Sequence, residues 1–500
     1  MNLNWLLLFP LLTALGILAS GGPRPARRVA CLGALLQLAL ACLLAGLYLQ
    51  QRHGGDTSPF LFETNLSWYG PLHIRYHLGL DGISLSMILL TALVTLSGVL
   101  VSWSQQELSR EFFLLLTMLS LGAYGFFLSL DLFTQFFFLE LAVIPKFMLI
   151  GIWGSGRKEY SAMKLALMLL GGSALIFVGL AGLYVASGQA GQPGLDLATL
   201  QGLGLPAATQ RLLFPFLFVG FGIFTALFPF HTWVPDGHAS APTAASMFLA
   251  GISMKLGGYG CLRVAAFLLP EAARYYSPVI LVLATIAILY GALATLMQTD
   301  LKYMNAYSSV SHCGFVLLGI GMLTRTAITG AMLQMVSHGL MTALFFAAIG
   351  MIYDRTHTRQ VAALGGLLSV MPFISTVFVI AGLCSLGLPG LSGFAAEVTV
   401  FMGSWERAGN FYHGVTVLAC ASIVVTAVYI LRATGTALLG PLREESYGRL
   451  ADARWNERLA SALLVAGILL VGLAPFWLVR LLDPATDLIM QKLAALPPVN

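Results

Sequence analysis

Residues 211–269 read RLLFPFLFVGFGIFTALFPFHTWVPDGHASAPTAASMFLAGISMKLGGYGCLRVAAFLL. An apolar run enters a turn-rich segment holding Pro229, His231, Pro235, Asp236 and His238. A second apolar run then carries Lys255 near its middle. Runs of this length cross a bilayer as helices, at about 20 residues per crossing. A proline-interrupted helix at that depth frees backbone groups that hydrocarbon cannot satisfy, so the break needs protein or a wet cavity around it. An ionisable side chain beside such a break marks an ion or proton path. The stretch predicts a bundle of membrane helices with a polar line through its middle.

Composition extends the reading to the whole chain. Of 500 residues, 58% are hydrophobic and 9% charged, against about 25% charged in soluble proteins. The fold class predicted is an all-α polytopic membrane protein of about fourteen transmembrane helices. The net charge of +5 follows from loop charges and implies no nucleic acid. The first apolar run lacks a basic flank and a small-residue cleavage site, so it is expected to stay as a helix and not to act as a signal peptide. The six cysteines sit singly in apolar runs, without metal or iron–sulfur spacing. There is no P-loop and no dinucleotide fingerprint. Any redox chemistry is therefore expected in partners.

Orientation follows from the loops. One set holds fifteen of the 26 lysines and arginines and the other nine, Arg263 being counted among the nine; only Lys146 and Lys255 fall well inside predicted spans. The richer side is cytoplasmic by the positive-inside rule, which puts both termini on the periplasmic side of an inner membrane.

Two predicted spans are interrupted, the seventh at its proline-rich turn and the twelfth at residues 388–393, LPGLSG. Breaks at corresponding places suggest two inverted five-helix repeats, each containing a broken helix. The expected division is 1–111 for the first three helices, 112–269 for the first repeat, 270–436 for the second, and 437–500 for the last helix.

Six residues are candidates for proton transfer. Glu140 lies among Phe and Leu in the fifth span, and Lys146 follows it on the same helix. Lys255 sits between glycines that admit a neighbouring helix or water. His312 and His338, on consecutive spans, are imidazoles suited to shuttling protons. Glu397 follows the second break. Asp131, His231, Asp236 and His238 lie at span ends, where capping or turn roles compete with transfer. Asp81 reads as a helix cap.

The runs LGLDGISLSMILLTAL, FHTWVPDGHASAPTAASMFLAGISMKLGGYG, LKYMNAYSSVSHCGF, LQMVSHG and LGLPGLSGFAAEVTVF resemble the antiporter-like proton-channel subunits of NADH:quinone oxidoreductase, respiratory complex I. The likeness covers nearly the whole chain. Glu397, where sister subunits usually carry lysine, sets it nearest the subunit M, or chain 4, branch. The resemblance implies a membrane-arm subunit of a proton-translocating oxidoreductase that performs no redox chemistry itself. NADH, flavin, iron–sulfur clusters and quinone are expected in partner subunits, and the sister antiporter-like subunits are expected neighbours. It also implies that Glu140 is the family's fifth-span glutamate, Lys255 its central lysine, and His312, His338 and Glu397 its later polar line. One position departs. The family lysine of the seventh helix falls at Phe224, and no lysine lies between Lys164 and Lys255. Lys146 is the expected replacement, although a regular helix puts it about 9 Å along and about 120° around from Glu140. Pro145 between them can alter that offset. The alternatives are the homologous subunit of a multisubunit cation/proton antiporter or membrane-bound hydrogenase, and a structural subunit with impaired pumping.

Overall fold

The computed structural model describes residues 2–494. Ten of its helices are long and apolar enough, by length and composition, to cross a membrane. The apolar window of Arg325–Thr356 is 100% buried and that of Gly82–Ser104 89%, against 33% for Pro23–His53, so the first two form the centre and the third the rim. Inner helices can carry polar residues because protein receives them. Outer ones present leucines such as Leu15, Leu32 and Leu36 outward.

Both expected breaks are present. The seventh run is helical over Ala207–Thr225, turns, and resumes through Phe230–Thr232 into Trp233–Ser240. The twelfth is helical over Pro372–Ser385 and again over Ser392–Trp405. Gly387 in the second break has φ +74°, and a Cβ there would lie 2.7 Å from a carboxylate oxygen of Glu397. Glycine is needed for the backbone conformation and for the room the carboxylate takes.

The helix that bears Lys255 contains two π-helical segments, Leu249–Ser253 and Cys261–Ala266, on either side of Met254–Gly260. Such wide turns misalign backbone carbonyls and recur at functional sites. A Cβ at Gly257 would lie 2.5 Å from the Phe221 carbonyl oxygen, so this helix crosses Ala207–Thr225 at backbone contact.

Three features depart from the sequence reading. The segment between the second and third runs is an antiparallel hairpin, β1 (Leu61–Tyr69) and β2 (Ile74–Leu80). Lys302, counted as a loop charge, lies in the first turn of Leu301–Met322 and is buried. Arg263 is likewise no loop residue: it sits in the Cys261–Ala266 turn, 2% exposed, and pairs with Asp81. Asp81 does cap the next helix, accepting from the Ser84 N–H at 2.9 Å, but its other oxygen neutralises a buried cation. Removing one member of a buried pair strands the other charge at a cost of about 3–5 kcal/mol. Arg263→Met is expected to lower complex assembly and the thermal midpoint by that much destabilisation, and adding Asp81→Asn is expected to recover most of it. Equal midpoints for the single and double variants would contradict this.

The hairpin is fastened by a histidine between two carboxylates. His77 Nδ1 lies 2.5 Å from Asp196 and Nε2 2.9 Å from Glu63. Asp196 belongs to a loop whose neighbours bond the backbone of Leu130 and Leu132, at the start of Leu132–Trp153. Burial disfavours the imidazolium, but the two carboxylates more than offset it, so His77 titrates above its usual value. Asp196 is held below the usual carboxylate value although burial opposes this, through His77 and the Thr199 N–H. For a raised histidine the stabilisation is full below about pH 6.5 and is lost as pH rises through the native value. Amide exchange in residues 61–80, corrected for intrinsic rate, is expected to quicken across that window. His77→Gln is expected to remove the step.

Candidate functional site: a buried polar line

Lys255 stands at the centre and is buried. Its Nζ donates to the Ala250 carbonyl at 2.5 Å and lies 2.9 Å from His338 Nδ1. The acceptor is five residues back, a carbonyl in the Leu249–Ser253 π segment, so the irregular turn directs the amine. His338 comes from the central helix Arg325–Thr356, and its ring stacks on His312 with centroids 5.3 Å apart. His312 Nδ1 is 3.4 Å from Glu397 and Nε2 is 3.0 Å from Ser385 Oγ. Gln334 approaches the same Nδ1 at 3.3 Å. Four of the six candidates thus form one contiguous row, Lys255, His338, His312 and Glu397, all buried. Its far end, Glu397, lies in the first turns after the second helix break.

The other two candidates stand apart from that row and from each other. Glu140 accepts a hydrogen bond from Ser173 on Lys158–Gln189. Lys146 is 1% exposed, and its Nζ has no hydrogen-bond partner among the described residues. Its ammonium faces the Phe224 ring at 5.7 Å, within cation–π reach. Helix rotation between positions 140 and 146 turns the carboxylate toward one neighbouring helix and the amine toward another. Charge still couples them, but the Lys146 amine makes no hydrogen bond to Glu140. The buried amine of Lys146 and the ring of Phe224 thus face each other across the gap between the fifth and seventh runs.

The residues given turn or cap roles divide. Asp131 is a cap, accepting from the N–H groups of Phe133 and Thr134 at 3.0 Å. Asp236 pairs with Lys164 at 2.7 Å and accepts from the Tyr303 hydroxyl at 3.3 Å. His231 stacks on Phe228 and meets the edge of Tyr290. His238 does more than turn the chain. It is fully buried, neither ring nitrogen has a partner among the described residues, and it feels the charges of both Lys255 and Lys302. The signal for Lys302 lay in Asp300, which caps Leu301–Met322 and so draws Lys302 into the first turn. Among the described residues no group of three or more His, Cys, Asp or Glu is placed to hold a metal.

Two broken helices around a row of buried acid, amine and imidazole define an antiporter-like membrane subunit. Comparison with known proteins carries this further. Residues 129–426 match the family described as NADH:quinone oxidoreductase/Mrp antiporter, TM, and the chain belongs to it. A Synechococcus sp. (strain JA-3-3Ab) protein named NAD(P)H-quinone oxidoreductase chain 4 1 is 38% identical, over 99% of this chain and 94% of its own length. A Thermosynechococcus vestitus protein named NAD(P)H-quinone oxidoreductase chain 4 2 is 35% identical, over 92% and 88%. A chain of respiratory complex I from Thermus thermophilus superposes with TM-score 0.88 at 26% identity, over 98% of this chain and 99% of that one. A chain of the Mrp complex from Dietzia sp. shares the fold, TM-score 0.85 at 20% identity, over 97% of each.

Proposed function

We propose that this chain is a proton-translocating membrane-arm subunit of an NADH:quinone oxidoreductase, of the chain 4 kind. The observation that carries the reading is the row from Lys255 to Glu397, in which the amine meets one imidazole at 2.9 Å, the carboxylate meets the other at 3.4 Å, and the two imidazole rings stack. Each can hold or release a proton, and each is protected from bulk water by the helices around it. Lys255 holds a proton as ammonium and gives it to His338 Nδ1; water between the stacked imidazoles carries a proton from His338 Nε2 to His312; His312 Nδ1 gives one to Glu397 beside the second break. Phe224 and Lys146 make up an altered first half, with Glu140 as its carboxylate.

Charge couples the row. At 10 Å and an effective dielectric of about 20, one unit charge acts on another with about 1.7 kcal/mol, more than one pKa unit. Loading one site therefore drives a proton off the next, and electron transfer elsewhere needs only to shift one member. NADH, flavin, iron–sulfur clusters and quinone belong, in this reading, to partner subunits. We take about fourteen crossings, two inverted repeats of helices 4–8 and 9–13, and termini on the periplasmic side of an inner membrane as the frame for this row.

Purification of the assembled complex, followed by NADH-driven acidification of inverted vesicles, tests the assignment. Co-purifying flavin and iron–sulfur subunits with NADH-driven acidification support it. A complex that moves protons only in exchange for another cation, with no NADH oxidation, would replace it by the antiporter assignment.

A further inference from the structure

The first helix, Asn4–Leu18, contains Pro10. Proline has no N–H to give the carbonyl four residues back, so the Leu6 carbonyl needs another donor. Gln37 Nε2, near the middle of Pro23–His53, donates to it at 2.7 Å. A carbonyl accepts from the amide nitrogen and not from the amide oxygen, which fixes the orientation of the Gln37 side chain. Its oxygen, Oε1, is the end left over, and it has no hydrogen-bond partner among the described residues.

Two more oxygens are in the same state: Thr95 Oγ1, from Gly82–Val101, and the Tyr124 hydroxyl, from Ser109–Leu128. Gln37, Thr95 and Tyr124 are 4%, 7% and 1% exposed. All three line one small cavity of about 20 Å³, together with Thr117 and Ser120. The hydroxyls of Thr117 and Ser120 donate to carbonyls of their own helix, as does that of Thr91, one turn before Thr95. Thr95 makes no such bond. Tyr124 and Gln37 interact across the cavity without a direct hydrogen bond, the relation of two groups that share a bridging partner. Three buried oxygens around one space call for a ligand, because buried polar groups in native proteins are satisfied.

We propose that this cavity is a binding site for a single water molecule, which ties the two N-terminal helices to the third and fourth. A buried water needs about 10–15 Å³ of such space and a few polar partners, and the cavity supplies both. The water donates to Gln37 Oε1 and accepts from the Thr95 and Tyr124 hydroxyls. Its second hydrogen goes to Thr117 or Ser120, whose own hydrogens are spent and whose lone pairs can accept. Among the described residues no carboxylate lines the cavity, so a metal ion would enter without a counter-charge, which a membrane interior strongly disfavours. Helices in lipid gain little from apolar contact alone and depend on close packing and on hydrogen bonds between them. Pro23–His53 turns small residues such as Ala30 and Ala34 inward and leucines such as Leu32 and Leu35 outward. Gln37 and its water give that outer helix a polar hold at mid-membrane. The site lies outside the row from Lys255 to Glu397, and the inference does not depend on the proton-pumping reading.

The assembled complex, imaged at a resolution that shows ordered water, provides the test. A density peak within about 3.2 Å of Gln37 Oε1, Thr95 Oγ1 and the Tyr124 oxygen is expected. A cavity without density, or Tyr124 bonded directly to Gln37, overturns the site. So does a peak that is lost when the complex is purified without sodium, since the occupant would then be a cation. Stability gives a second readout. Thr95→Val and Tyr124→Phe are each expected to lower the thermal midpoint of the complex, and the double variant to lower it by less than the sum, because both act through one molecule. Losses that simply add would mean that the two hydroxyls share no ligand, and would overturn the bridge.

Discussion

Replacing Lys255 by Met is expected to reduce proton transfer through this subunit about a hundredfold or more, within the range for removing an essential acid–base group. The amine is the one member of the central row that touches both the irregular backbone of its own helix and an imidazole of the central helix. Methionine keeps the length and apolar bulk, so the close helix crossing of Gly257 on Phe221 should survive and the complex should assemble. What is lost is the cation in contact with His338. The Ala250 carbonyl loses its donor, at a cost of about 1–3 kcal/mol, which is small enough for a folded complex. Acidification measured against NADH oxidation in the same vesicles separates lost pumping from lost assembly. A Lys255→Met complex that pumps normally would remove the central row from the mechanism.

The second large effect concerns Lys146. Lys146→Met is expected to lower NADH-driven acidification about tenfold with assembly intact, since in the proposed first half the buried amine against Phe224 stands in for the lysine that the resemblance puts at that position. The diagnostic variant is the double change Lys146→Met with Phe224→Lys. It moves the amine from the fifth helix to the seventh while keeping it in the same small volume, as the 5.7 Å separation of amine and ring permits. Restoration of acidification in the double variant would show that the site needs a cation there and not a particular helix to carry it. If Lys146→Met pumps like wild type, the amine is structural, and Glu140 with its Ser173 hydrogen bond works without a cationic partner or stands idle.

How much of this was legible before the structure depends on the range of the interaction. The apolar runs, both helix breaks and the row Lys255, His338, His312 and Glu397 were readable because each rests on local signals: run length, Pro and Gly at the breaks, and ionisable residues within apolar spans. The hairpin carries no such signal, because its strands, LFETNLSWY and IRYHLGL, are short and mix polar with apolar residues. Arg263 was misplaced because six residues from a span end looks like a loop, and only Asp81, far away in sequence, holds it inside. His238 and Lys302 were undervalued for the same reason. Their meaning comes from a contact between the end of one broken helix and the start of another, Lys302 with Ala241, which no spacing in the sequence shows. Lys146 stands out in the sequence as an amine within an apolar span, but its amine faces the Phe224 ring and makes no hydrogen bond to Glu140, because a helix turned through that offset presents the two side chains to different partners.

The measurement that bears most directly on the central claim is the number of protons moved per NADH oxidised by the reconstituted complex, wild type against Lys255→Arg. Arginine keeps the positive charge beside His338 but does not give up a proton under these conditions. A ratio that falls while NADH oxidation still proceeds is the predicted result, since the charge alone is then insufficient and the amine must load and unload. An unchanged ratio would contradict the account, because Lys255 would then be a fixed counter-charge and the row from it to Glu397 would not carry protons.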